Sequence, residues 1–237
     1  MAGAMDSRRV AYLKALDIDV WERRDLAPAA AAAVEVPVGT DSGTQVNSAS
    51  WAELERAVKS CTLCPLHKTR TQGVFGVGNR TAQWMVIGEA PGADEDRQGE
   101  PFVGRAGQLL NSMLKAIGLQ REQVFIANIL KSRPPNNRDP KPEEVQACIP
   151  YLFRQIELVN PRLILCVGRI AAQTLLETDM PIGKLRGQLH RIAGNRPMVV
   201  TYHPAYLLRS PGEKRKSWAD LLLALRTFEQ VAGGAST

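Results

Sequence analysis

An α/β fold, with a parallel sheet covered by helices on both faces, is what this 237-residue sequence predicts. Two observations carry that expectation. Four short apolar runs, at 84–88, 124–130, 163–167 and 197–202, have strand length and the near-continuous apolarity of strands buried on both sides. Stretches with helical spacing of apolar residues separate them, and strand–helix alternation is the pattern of a parallel sheet with crossover helices. Hydrophobic residues make up 44% and charged residues 23% of the chain, ordinary values for a soluble globular protein. No run approaches the roughly 18 apolar residues of a membrane helix. The formal charge of +6 leans towards a polyanionic partner.

In chain order, residues 8–21 place Val10, Leu13, Leu16, Ile18 and Trp21 on roughly one helical face. Residues 27–50, an alanine run followed by Val, Pro, Gly, Ser, Thr and Asn, read as a linker. The expected organisation is an N-terminal helix plus flexible linker at 1–50 and one domain at 51–237. Ser50 is an N-cap for a helix from 51 to 60, with Glu53 at capping-box spacing. The run 84–88 stops at Gly88, as a buried strand feeding a functional loop does. Leu109, Leu110, Met113, Leu114 and Ile117 make 104–118 an amphipathic helix. A helix at 142–159 has Pro142 in its first turn. The strand at 163–167 ends in Gly168 before a helix at 169–177. A hairpin arm near 188–192 precedes the fourth strand, and a helix at 218–231 follows it. Ligands in such sheets sit where strands end and loops begin, and every motif below falls there.

The chain has four cysteines, as Cys61-x2-Cys64, Cys148 and Cys166. The N-terminus has no secretory character, so the expected setting is the cytosol, where paired cysteines bind metal more often than they form disulfides. Four thiolates hold zinc or an iron–sulfur cluster. Only the first pair is close in sequence, which favours a [4Fe–4S] cluster. Cys166 also fits another description, since a cysteine inside an apolar strand can behave as a small hydrophobe.

The loop Gly88-Glu-Ala-Pro-Gly-Ala-Asp-Glu-Asp96 can turn backbone amides towards a ligand, or its acids can cap a helix. Its carboxylates, and the lack of Gly-Lys-Ser/Thr, argue against a nucleotide-phosphate cradle. Phe102, in the Gly/Pro-rich loop 99–107, is an aromatic platform or a core anchor. Asn128 interrupts an apolar strand, where an unpaired amide costs roughly 1–3 kcal/mol. The basic loop 131–140, with Lys131, Arg133 and Arg138, suits a phosphate backbone. His203 opens His-Pro-Ala-Tyr-Leu-Leu-Arg209, in which Leu207 and Leu208 beside Arg209 have the chemistry of a wedge into a base stack.

Together these motifs resemble the type 4 (iron–sulfur) uracil-DNA glycosylases of the uracil-DNA glycosylase superfamily, over about residues 51–230. The resemblance implies an αβα sandwich around a four-stranded parallel sheet. It implies removal of uracil from DNA after cytosine deamination, with the nucleotide flipped out of the duplex at a cost of a few kcal/mol. Gly88, Glu89 and Ala90 would contact uracil, Phe102 would stack on it, Asn128 would read N3–H and O4, and His203 would lie near O2. His203, neutral or charged, would stabilise the departing anion, and Glu89 or Glu95 would orient water. Cys61, Cys64, Cys148 and Cys166 would hold the [4Fe–4S] cluster in a structural role. Lys131, Arg133, Arg138, Leu207, Leu208 and Arg209 would meet DNA. Relatives that trap uracil-DNA covalently carry a histidine in the loop that here reads Pro-Pro-Asn-Asn, so a hydrolytic enzyme is expected. The expected partners are uracil-containing DNA and a replication or repair protein bound through residues 1–50. A monomer in the bacterial or archaeal cytosol, near the nucleoid, completes the expectation.

Overall fold

The computed structural model describes residues 46–233. The expected helix at 8–21 and most of the 27–50 linker lie outside them. Six strands form one sheet among the described residues: β1 (Val77–Gly78), β2 (Trp84–Gly88), β3 (Phe125–Asn128), β4 (Leu163–Val167), β5 (Leu189–Ile192) and β6 (Arg196–Thr201). Their order is β1-β3-β2-β4-β6-β5. The four central strands are parallel, as the apolar runs require, while β1 and β5 pair antiparallel at the two edges. The edge strand β5 is the expected hairpin arm. Two-residue β1, ending in glycine, is too short for a periodic signal.

The helices are α1 (Trp51–Ser60), α2 (Ala93–Gln98), α3 (Arg105–Ala116), α4 (Pro142–Val159), α5 (Arg169–Leu176), α6 (Ile182–Leu185), α7 (Pro204–Arg209) and α8 (Lys214–Gly233). Ser50 and Glu53 form the reciprocal capping box that starts α1. Successive strand residues point to opposite faces, which divides the core in two. Met85, Ile87, Phe125, Ile164, Cys166 and Val200 pack under Leu54 and Val58 of α1 and Leu152 and Ile156 of α4. Trp84, Val86, Ile126, Leu165 and Val199 pack under Leu110 and Leu114 of α3 and Leu221 of α8. Each such side chain, fully buried, contributes about 1.5–3 kcal/mol. This is the layered αβα arrangement the sequence predicts.

Chain order fixes where a ligand can sit. From β2 the chain moves to β3 on one side, then crosses back to β4 on the other. The carboxyl ends of β2 and β4 therefore flank a topological switch point, with the end of β3 beside it. The strand expected at 124–130 stops at Asn128, and the next two amides bond to the last residue of β2 and the first residue after it (Ile129 N–H to Gly88 O, Leu130 N–H to Glu89 O). Those bonds hold the two loops together at the mouth of the crevice.

Candidate active site

Gly88 and Asn128 are register partners at the ends of β2 and β3. A Cβ on Gly88 would lie 2.5 Å from Asn128 Oδ1 and 2.6 Å from Phe102 Cζ, so only glycine lets both side chains close over the strand end. Asn128 is 2% exposed, and its Oδ1 has no hydrogen-bond partner. A buried acceptor left open costs about 1–3 kcal/mol, and the nearly universal pairing of buried polar atoms makes it a candidate contact for a substrate.

Phe102 is held over that amide by a strained loop. Its φ is +56°, uncommon for a residue with a side chain. Arg121 donates to Phe102 O at 3.1 Å and to Pro101 O at 2.6 Å. A Cβ at Gly107 would fall 1.8 Å from Phe102 O, so the turn into α3 needs glycine there. The Phe102 ring stacks against the His203 ring, with centroids 5.5 Å apart and planes 29° apart.

His203 follows β6 and caps α7. The Ala205 N–H donates to its Nδ1 at 3.1 Å, which leaves the proton of the neutral ring on Nε2. Burial, helped by the Arg209 charge and opposed by Glu95, pushes its pKa down to about 4. Near neutral pH the ring is therefore an uncharged N–H donor.

The two acids of the first loop have separate roles. Glu95 accepts the N–H groups of Gly92 (3.1 Å), Val103 (2.9 Å) and Gly104 (3.2 Å). It starts α2 and braces the Phe102 loop. Asp96 does similar work behind it, accepting the Thr71 amide and hydroxyl. Glu89 is half-buried, and its pKa is raised, first by burial and then by Asp139, against the opposing charge of Arg169. Arg169 is paired with Asp139 at 2.7 Å. Glu89, Ala90, Glu95, Phe102, Asn128 and His203 all line one cavity of about 420 Å³, together with Asp139, Tyr206 and Arg209.

The residues expected at DNA divide. Lys131 is 1% exposed and does not reach the surface. Its Nζ donates to Asn128 O (2.8 Å) and Gln155 Oε1 (2.6 Å), which ties the end of β3 to α4. Burial pushes its pKa down to about 7. Leu207 is also buried, packed in the α3/α8 core, because helical spacing in α7 turns it inward. Arg138 is clamped on the buried Glu144 by two bonds of 2.8 and 2.5 Å. Arg133 and Leu208 are half-buried, and Arg209 is exposed with no ion-pair partner among the described residues. Asp139 and Tyr206 were missed as cavity residues. Both lie inside motifs read for their cations and leucines alone.

On the opposite face of the sheet end, the cysteines also divide. Cys64 and Cys148 are hydrogen-bonded to one another, and the Lys131 N–H bonds Cys148. Cys61 bonds the hydroxyl of Tyr151, three residues beyond Cys148 on α4. These three fit a thiolate-bound group held between the segment 61–64 and α4. Cys166 lies in the same apolar core as Cys64 and Cys148 but takes no part in these hydrogen bonds. It is fully buried in β4, beside Ile87 and Val200 of the adjoining strands. Among the described residues no three Cys, His, Asp or Glu side chains gather tightly enough to share one metal ion. A cluster makes a weaker demand, because its cysteines bind different irons.

The sequence model of the uracil DNA glycosylase superfamily matches residues 75–223. A type-4 uracil-DNA glycosylase of Archaeoglobus fulgidus is 49% identical over 178 residues, 72% of this chain and 89% of that relative. One from Thermotoga maritima is 46% identical over 154 residues, 65% of this chain and 80% of its own length. A type-5 uracil-DNA glycosylase of Pyrobaculum aerophilum is 31% identical over 168 residues, 62% of this chain and 74% of that relative.

Proposed function

The chain belongs to the uracil DNA glycosylase superfamily, and from that premise we propose that it excises uracil from DNA in base-excision repair, in the cavity between Asn128, Phe102 and His203. The observation that carries this site is the orphan Asn128 Oδ1, buried beneath an aromatic ring at a strand end. Its partner is uracil N3–H, while the amide of the same side chain donates to O4. Cytosine reverses that donor–acceptor order and would leave buried groups unpaired, the strongest form of discrimination a polar site has. Phe102 stacks on the base. The shape of Gly88 sets its depth.

Cleavage breaks the bond between sugar C1′ and uracil N1, and the electron pair leaves with the base. Charge collects on O2, where the His203 Nε2–H donates to it. A neutral donor already in place needs no reorganisation as that charge develops. The sugar becomes cationic and accepts a water oxygen at C1′, and the water proton is taken up by a carboxylate. Glu89 is that carboxylate, because the oxygens of Glu95 are already engaged by three backbone amides. The products are free uracil and an abasic site. Arg209, Arg133 and Leu208 face the strand from which the nucleotide is everted.

Cys61, Cys64 and Cys148 would hold a [4Fe–4S] cluster, which when bound supplies a cross-link between the segment before the sheet and α4 and takes no part in bond cleavage. Residues 1–50 are proposed to recruit a replication or repair protein, and the enzyme to act as a cytosolic monomer. No helix among the described residues is long and apolar enough to cross a membrane.

The test is release of uracil from a uracil-containing oligonucleotide, read by alkaline scission at the abasic site, with a cytosine oligonucleotide as control. An uncut uracil strand that nonetheless binds tightly would replace the enzyme with a binding protein. The pH dependence gives a second expected result. Glu89 must be ionised to accept a proton, so kcat falls as pH drops through its raised pKa. Glu89→Gln is slow at every pH and loses that acidic limb. A variant that keeps the limb would move the base elsewhere.

A further inference from the structure

We propose that the cluster is held by three thiolates, Cys61, Cys64 and Cys148, with the hydroxyl oxygen of Ser132 as its fourth donor, and that Cys166 is a core residue. This rests on the cluster reading above and assigns its ligands.

Cys166 is excluded by its surroundings. In the sheet register its neighbours are Ile87 on β2 and Val200 on β6, both fully buried. Burial among these apolar side chains raises its pKa. A cysteine in that position packs as a small apolar side chain.

The other three share one set of polar neighbours, and Ser132 belongs to the same set. The Arg70 guanidinium donates to Ser132 Oγ at 2.7 Å and to the carbonyl of Cys61 at 2.8 Å, and its charge also acts on Cys64. Ser132 directly follows Lys131, whose backbone N–H bonds Cys148. Ser132 is 2% exposed, so its hydroxyl faces protein and not water. One cation thus joins the serine oxygen to the Cys61–Cys64 segment, and one peptide joins it to Cys148. The Lys131 amine is also buried close to Cys148. The Arg70 charge beside the donors offsets part of the negative charge that deprotonated ligands bring. Each ligand releases its proton to solvent when iron binds, the serine hydroxyl included.

The experiment uses full-length protein purified without oxygen, with iron content and Mössbauer spectra as readouts and circular dichroism as the check on folding. Wild type is expected to bind iron, with one of the four irons spectroscopically distinct because its ligand is oxygen. Cys166→Val keeps the full iron content and the same spectrum. Cys166→Ala serves the same purpose should valine crowd the strand. Cys148→Ala loses the cluster. Ser132→Ala loses the distinct iron, and Ser132→Cys keeps all the iron while making the distinct one resemble the rest. Folded Cys166 variants without iron, beside Ser132→Ala with a wild-type spectrum, would overturn the assignment. Iron-free wild type would remove the cluster itself, which is a separate failure.

Discussion

Replacing Asn128 with alanine is expected to lower kcat/KM for uracil release by about 10³-fold or more, because a site built to hydrogen-bond its substrate loses most when the pairing group goes. The environment of Asn128 explains the size of the effect. Its carboxamide is buried under Phe102 and wedged against Gly88, so water cannot take over its role without opening the stack. Folding should not suffer in proportion. The native side chain leaves Oδ1 unpaired, and removing an unsatisfied buried acceptor relieves a desolvation penalty of about 1–3 kcal/mol. The expected signature is lost activity with a Tm equal to or above that of wild type. A variant that is both unstable and active would show that Asn128 serves the sheet and not the substrate.

The second large effect is on His203. His203→Ala should reduce kcat by about 10²–10³-fold, the usual cost of removing one donor aimed at a developing anion, with a smaller change in KM. The geometry also predicts what pH does to it. The folded pKa is about 4, depressed by burial from the ordinary 6.5. Between those values the unfolded chain binds a proton that the folded ring refuses. His203 therefore weakens the fold as pH falls from 6.5 towards 4 and has no such effect above 6.5. In His203→Ala that part of the acid loss of stability disappears, which denaturant titrations across this window would measure. Equal acid sensitivity in both proteins would mean that the imidazole is protonated when folded, and the neutral-donor mechanism would fail with it.

Both residues were visible in the sequence for the same reason: each broke a pattern. Asn128 interrupted an apolar run, and His203 followed one. Gly88 and Phe102 were also found, through a strand that stops at glycine and an aromatic in a loop of glycine and proline. Choosing between Glu89 and Glu95 needed coordinates, since only the folded loops bring the amides of Gly92, Val103 and Gly104 onto Glu95. Lys131 and Leu207 illustrate the opposite error. Sequence reading placed them by type, a cation at DNA and a leucine in a wedge, whereas burial is set by the layers packed over them.

The order of strands and helices, the motif at each strand end and the family were determined by the sequence alone. These depend on local period and on side-chain chemistry, both carried by neighbouring residues. Only the tertiary structure decided which carboxylate stays available and which leucine faces out. Those outcomes depend on the sheet register and on helices that arrive from far along the chain, so no short window of residues contains them.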